Sequence, residues 1–295
     1  MVRSIPSVPW VLRILWLSLP LVAGPAAEPT LDAWASGTRA LAASLLWSAW
    51  AVVLVGLLAP RPAALTALRL VAGGFAAAAV TATATADPGP GALEAGAAIG
   101  STLGLAGASL LPEVGEFLVN GVAYGDERRF LLRPSRPVGW VALPLAVLLA
   151  AGGASAGPLL LADGGLGLGL ATCALGLPVA ALLTRSVHSL SRRWLVQVPG
   201  GLVVHDAHTL ADPVLLPRDR IAAVTPVPPV PAGSLDLRLG ARGPALAVSL
   251  REAVSMPVLA RPSRDVEMVQ ATCVVVAPQR PGAVLERLAV RHRAR

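Results

Sequence analysis

The residues best suited to chemistry are two histidines and two aspartates in one short polar stretch. His205, Asp206 and His208 lie together between two apolar segments, and Asp212 follows. Imidazole and carboxylate groups at this spacing can chelate a divalent ion. No cysteine at zinc spacing accompanies them, and Asp also favours turns for conformational reasons. We therefore interpret the cluster as a turn and expect no metal and no other cofactor.

Other sources of catalysis are absent from the sequence. It contains no nucleophile elbow, phosphate-binding glycine loop or zincin motif. Cys173 and Cys273 are the only cysteines, and their positions indicate small apolar side chains. Inside the apolar segments the ionisable residues are Arg13, Arg69 and Glu94, each near one end, where snorkelling or the helix dipole accounts for it. We expect a protein that is not an enzyme.

Six apolar segments determine the predicted fold of the first 185 residues. A mean hydropathy of +0.67 and 55% hydrophobic residues exclude an ordinary soluble domain. Each segment is about long enough to cross the ~30 Å apolar layer of a bilayer. The predicted fold here is an α-helical membrane bundle of about six transmembrane helices: Trp10–Gly24, Ala40–Ala59, Ala63–Val80, Leu93–Leu111, Val138–Leu161 and Leu166–Leu183.

The first segment has two interpretations. Arg3, the apolar run and the small residues at 23–27 together resemble a signal peptide that is removed. Arg13 interrupts the apolar run, and prolines crowd the cleavage region. We expect the segment to be retained as a membrane span.

The arginines that flank the spans indicate their orientation. If the N-terminus is cytoplasmic, only Arg39 lies outside, and the cytoplasmic set is Arg3, Arg61, Arg128, Arg129, Arg133, Arg136, Arg185, Arg192 and Arg193. An excess of basic residues on the cytoplasmic side is typical of multi-pass proteins. We expect a protein of the bacterial cytoplasmic (inner) membrane with both termini in the cytoplasm.

This topology divides the chain into four parts. Residues 1–111 hold the first four transmembrane helices, residues 112–137 form a cytoplasmic loop, residues 138–184 form a transmembrane hairpin, and residues 185–295 form a cytoplasmic domain. Within the fourth span, small residues recur every four positions and predict close helix packing. These residues are Gly96, Gly100 and Gly104.

The loop contains a predicted short helix from Pro112 to Asn120 and then several arginines. These arginines are either topology determinants only, or part of a surface that docks on the C-terminal domain. In the docking alternative, Arg128 and Arg129 belong to the segment that docks. The arginines of the domain then pair with an acidic residue of the loop, which is Glu113, Glu116, Asp126 or Glu127. The run YGDERRFLLRP resembles a stretch in membrane proteins of high-GC bacteria, which implies no particular activity.

The C-terminal region has the pattern of a small β domain. Short alternating segments predict seven strands: Trp194–Val198, Leu202–His205, Val214–Leu216, Ile221–Val224, Leu235–Leu239, Ala245–Leu250 and Val269–Val276. Pro281–Arg293 is predicted to be a helix. With RRWLVQVPGGLVVHD and LPRDRIAAV, this pattern resembles a bacterial pleckstrin-homology-like (PH-like) domain. The resemblance implies two orthogonal sheets closed by the helix, and a binding or assembly role.

The charge distribution suggests what this domain binds. The net charge of +7 resides in residues 185–295, which hold fifteen arginines and eight acidic residues. We expect the domain to contact anionic lipid headgroups of the bilayer, a protein partner or a second copy of the chain, and no nucleic acid. The residues predicted to make this contact are Arg185, Arg192, Arg193, Arg287, Arg291, Arg293 and Arg295. The alternative is a transporter or permease subunit with a regulatory cytoplasmic domain.

Overall fold

The chain forms two compact units, each built from separated stretches of sequence. The computed structural model describes residues 7–227, 233–260 and 262–293. The helical unit contains the described residues up to 121 together with residues 142–188, and the β unit contains residues 122–141 together with those from 189 onward. The units differ from the predicted parts in two ways. Residues 122–137 of the predicted loop belong to the β unit, and the C-terminal part of that unit begins at residue 189 and not at residue 185.

The helical unit contains the long apolar helices. Its helices are α1 (Ser7–Asp32), α2 (Ser36–Leu58), α3 (Pro62–Thr85), α4 (Ala92–Ala108), α5 (Pro112–Asn120), α6 (Leu143–Ala162, preceded by a π-helical turn at Val138–Ala142) and α7 (Leu166–Ser191). Among the described residues, five helices are long and apolar enough to span a membrane, and α4 with α5 would make a sixth. The predicted apolar helical bundle is confirmed at this level.

The fourth predicted span is not one straight helix. Helices α4 and α5 meet at a bend of 64°. Leu111 has an extended backbone with ψ of 135°, and Pro112 begins α5. A residue before proline is disfavoured in the helical conformation, which accounts for the break. The predicted segment Leu93–Leu111 thus ends in the break, and the predicted helix Pro112–Asn120 is confirmed.

Helix α1 is an integral part of the helical unit. Trp16 is fully buried, and its indole Nε1 donates to the carbonyl of Trp50 at 3.0 Å, while Trp50 Nε1 donates to the carbonyl of Trp16 at 3.0 Å. The Trp16 ring also stacks on Phe75, with 5.8 Å between centroids. Arg13 donates from Nε and Nη2 to the carbonyl of Leu57 in the last turn of α2, at 3.1 and 2.9 Å. Helix α1 thus packs against both α2 and α3.

The glycine row in α4 does not pack against another helix. Gly96, Gly100 and Gly104 are exposed, and a Cβ added at any of them would meet no atom within 4 Å. The prediction that they mediate packing is wrong for this chain's own bundle, because α4 contacts α1 and α3 through its opposite face, which buries Ala98, Thr102 and Leu105.

Close helix approach occurs instead between α6 and α7. A Cβ on Gly153 would lie 2.7 Å from the carbonyl oxygen of Gly176, and one on Gly157 would lie 2.7 Å from the backbone nitrogen of Cys173. Real Cβ atoms are excluded at such distances, so glycine is required at both positions. Small residues at facing positions let two membrane helices pack backbone against backbone.

The β unit consists of two four-stranded sheets and a C-terminal helix. The first sheet has the order β1 (Arg128–Leu131), β2 (Trp194–Val198), β3 (Gly201–His205) and β4 (Val214–Pro217). The second has the order β5 (Ile221–Val227), β7 (Ala245–Leu259), β8 (Val266–Val276) and β6 (Leu235–Asp236), and α8 spans Pro281–Arg293. The predicted seven strands and final helix are confirmed, while β1 was not predicted.

One hydrophobic core joins the two sheets. Leu195 and Leu202 of the first sheet cluster with Leu246 and Val274 of the second, and all four are completely buried. Val284 of α8 completes the same cluster. Leu202 and Val204 of β3 and Val214 and Leu216 of β4 face this core, in agreement with the two-residue period of a strand.

We predict that Trp16→Ala destabilises the helical unit far more than Trp34→Ala. Trp16 is fully buried and hydrogen-bonded, whereas 38% of Trp34 is exposed. Truncating a buried tryptophan costs about 3–5 kcal/mol of folding free energy. Thermal unfolding of the full chain in detergent would measure the difference. Equal melting temperatures for the two variants would contradict the packing of α1.

Candidate binding surface of the β unit

The loop between the spans supplies an edge strand to the β unit. Strand β1 pairs antiparallel with β2, with Arg128 opposite Gln197 and Leu131 opposite Trp194. The backbone nitrogen of Leu132 donates to the carbonyl of Arg193 at 2.9 Å. The segment from β1 to α6 and the segment from α7 to β2 therefore join the first sheet at the same end, whereas the segment from α5 enters β1 at the other end. Arg128 and Arg129, the residues of the docking hypothesis, lie in this strand.

The side chain of Arg129 adds contacts across the strand pair. Its guanidinium carbon lies 5.1 Å from the ring centroid of Trp194 on β2, and its Nε donates to Glu127 at 2.7 Å. Burial raises the pKa of Glu127, but hydrogen bonds from Arg129 and the Tyr124 backbone and the charge of Arg129 hold it below its usual value. Glu127, one of the four acids proposed to pair with the domain, thus pairs with Arg129 of the same loop.

Arg133 joins the loop to two other segments of the β unit. Its Nη1 donates to the carbonyl of Arg242 at 3.0 Å, and its Nη2 donates to the carbonyl of Gln279 at 3.4 Å. Gly243 lies against this guanidinium with φ of +101°, and a Cβ there would lie 2.7 Å from Nη1. The positive φ favours glycine at this position, whereas the arginine side chain could shift to accommodate a Cβ.

Arg193 does not belong to the predicted contact surface. Its Nε and Nη2 donate to Oδ1 and Oδ2 of Asp206 at 2.9 and 2.8 Å, and only 3% of the residue is exposed. A buried guanidinium that is paired with a carboxylate is not available to a headgroup or a partner. The sequence did not distinguish Arg193 from its exposed neighbour Arg192, because the distinction depends on which face of β2 is covered.

The polar cluster around His205 makes contacts within the protein. His205 Nδ1 lies 2.9 Å from the carbonyl of Arg192, and its ring lies 5.1 Å from that of Trp194. His208 Nε2 lies 3.0 Å from the hydroxyl of Ser189. Across the described residues, no three His, Cys, Asp or Glu side chains are grouped as metal ligands.

The remaining predicted arginines belong to different elements of the chain. Arg192 and Arg287 are exposed in the β unit, and Arg185 is exposed on α7 in the helical unit. Arg291 and Arg293 belong to the last turn of α8, and Arg295 lies outside the described residues. The surface predicted from these residues is therefore distributed over several elements.

A shallow cavity of about 370 Å³ marks a different place on the β unit. Its lining comes from the segment after β1 and from the turn between β6 and β7: Ser135, Arg136, Pro137, Gly240 and Arg242. An adjoining cavity of about 410 Å³ shares Arg136 and Arg242 and includes Trp140. Sequence reasoning missed this site because Arg242 lies far from Arg136 in the chain, and only the tertiary fold brings them together.

We predict that Arg193→Ala destabilises the β unit, with little effect from Arg192→Ala. Removing one member of a buried ion pair leaves an unpaired charge and costs about 3–5 kcal/mol. Hydrogen exchange of the β2 and β3 amides in the full chain would measure this cost. Unchanged exchange in Arg193→Ala would contradict the contribution of the pair to stability.

A disulfide should form between cysteines placed at Arg128 and Gln197. Directly opposed residues of antiparallel strands have Cα atoms about 4.5–5.5 Å apart, within disulfide range. Cysteines at Arg128 and Val203 serve as the control, because Val203 lies on β3, one strand further away. Both variants would carry serine at Cys173 and Cys273, and oxidation would be followed by mass spectrometry. Cross-linking of the control pair alone would refute the strand order.

These contacts define a β unit held together by an inserted strand, with an arginine-lined cavity on its surface. Comparison of the chain with protein-family models, curated proteins and solved structures found no match. The functional interpretation is therefore built on the contacts and charges of the described residues.

Proposed function

We propose that this chain is a multi-pass protein of the bacterial cytoplasmic membrane whose β unit associates with the anionic surface of that membrane. Both termini and the β unit lie in the cytoplasm in this proposal. The observation that carries it is the insertion of β1, because this strand gives the β unit two chain connections to the apolar helices in addition to the one between α7 and β2. The protein has a binding role and not a catalytic one.

The charge of the β unit supports this proposal. Residues 122–141 and 189–295 contain eighteen arginines and ten acidic residues. The loop arginines thus add to the basic surplus of the C-terminal region. An arginine near an anionic leaflet contributes about 1 kcal/mol of attraction, which decays within a Debye length of about 8 Å. A domain that three chain segments join to membrane-spanning helices remains near that surface.

The architecture also supports a PH-like module. Two four-stranded sheets share a single hydrophobic core, and the C-terminal helix contributes Val284 to it. The predicted resemblance implied two sheets closed by a helix and a role in binding. In the proposed arrangement, β1 is an additional strand that the membrane-spanning region supplies to this module.

A transporter or permease subunit is the second candidate, and the break between α4 and α5 favours it. Transporter sites are often formed where membrane helices are discontinuous. Arg69 is largely buried beside this break, where its Nε donates to the carbonyl of Ser109 at 3.4 Å. Solute flux into proteoliposomes that contain the full chain would support this candidate, and equal flux with empty vesicles would oppose it.

Amide exchange in lipid nanodiscs tests the proposed surface association. We expect the β unit of the full chain to be better protected in nanodiscs with phosphatidylglycerol than in phosphatidylcholine alone. The difference should disappear at high salt, because screening weakens exposed charge interactions. Amides of the helical unit serve as the internal control. Identical exchange of the β unit in both lipids at low salt would refute the proposal.

A further inference from the structure

The two adjoining cavities of the β unit contain unsatisfied positive charge. Arg136 and Arg242 are exposed and line both cavities. Within the described part of the chain, neither guanidinium has a hydrogen-bond or ion-pair partner, in contrast to Arg129 and Arg193. Two free guanidinium groups beside one cavity favour an anionic occupant with several acceptor oxygens.

Contacts within the protein hold the cavity in shape. Arg133 binds the carbonyl of Arg242, which fixes the turn between β6 and β7 against the segment after β1. That turn contains three residues with positive φ, at Leu239, Gly240 and Gly243. A turn fixed in this way places the Arg242 backbone at the cavity before any ligand binds, which reduces the ordering cost of binding.

The other wall of the cavity is the beginning of a membrane span. Helical backbone begins at Arg136, and Val138–Ala162 is one of the helices long and apolar enough to cross a membrane. The N-terminal end of a helix attracts anions through its free amide groups. Trp140 is 81% exposed in the first turns of this span, and tryptophan is enriched at the level of lipid headgroups.

We propose that Arg136, Arg242 and Trp140 form a binding site for the phosphate of an anionic phospholipid headgroup. The two guanidinium groups bind the phosphate oxygens, Ser135 supplies a hydroxyl donor, and Trp140 contacts the glycerol and upper acyl region. Inorganic phosphate could bind the same two guanidinium groups, but it has no glycerol or acyl group to contact the exposed Trp140. This site specifies which part of the β unit binds lipid. It rests on the proposed function, which places the β unit beside the membrane.

Native mass spectrometry of the full chain in a neutral detergent tests the site. The probes are short-chain phosphatidylglycerol, short-chain phosphatidylcholine and inorganic phosphate as competitor. The test variant is Arg136→Gln with Arg242→Gln, and the matched control is Arg218→Gln with Arg251→Gln. The control removes the same charge at the opposite end of the β5–β7 pair, where Ile221 lies opposite Leu250, whereas Ala245 follows the cavity turn.

We expect one saturable phosphatidylglycerol molecule per chain and much weaker binding of phosphatidylcholine. The test variant should bind phosphatidylglycerol roughly 25-fold more weakly, since each arginine contributes about fivefold, and the control should match the native chain. Trp140→Ala should weaken phosphatidylglycerol binding as well. Excess inorganic phosphate should displace little of the bound lipid.

Each contrary outcome identifies what is wrong. Equal loss in the test and control variants would overturn the site and leave general surface attraction, which the nanodisc exchange measures separately. Complete displacement by inorganic phosphate, with no effect of Trp140→Ala, would overturn the lipid assignment. Equal binding of the two lipids would refute selection for an anionic headgroup. Lipid binding at the site without any lipid-dependent exchange would refute the proposed function alone.

Discussion

The pairing of β1 with β2 is the constraint on which the β unit depends. Four residues of an inter-span loop satisfy the backbone hydrogen bonds of one edge of the first sheet. Without this strand, β2 would present an unpaired edge, and such edges promote aggregation. A fragment that begins at residue 186 would lack β1, so binding measurements on it would not describe the native domain. The pairing also brings the segment after β1 to the turn that carries Arg242.

Arginines with identical ionisation have different roles here, and burial decides which role each one has. Arg193 is buried and paired with Asp206, so it stabilises the turn that begins at that aspartate. Arg133 binds backbone carbonyls and joins separate segments. Arg136 and Arg242 are exposed, have no partner among the residues that the structure describes, and retain their capacity to bind an anion. Counting arginines therefore overestimates the surface available for binding.

Small residues in the helical unit show the same dependence on position. Glycines on α4 recur at the spacing of a packing motif, yet they lie on the exposed face of the helix. Gly153 and Gly157 of α6 have the same four-residue spacing, and backbone atoms of α7 do approach them closely. Spacing along one helix places residues on a common face, but only the neighbouring helices determine which face is buried.

The sequence by itself determined the elements whose signals are local. Apolar length predicted the membrane helices, two-residue alternation predicted seven strands, and the proline at 281 predicted the start of α8. Strand β1 has only four residues and follows a turn in an arginine-rich loop, so its local signal was too weak to separate it from that loop.

Tertiary structure alone decided the pairing of β1 with β2, the burial of Arg193, the exposed face of α4 and the meeting of Arg136 with Arg242. Each of these depends on contacts between residues distant in the chain, and a residue's type and its sequence neighbours carry no information about such partners.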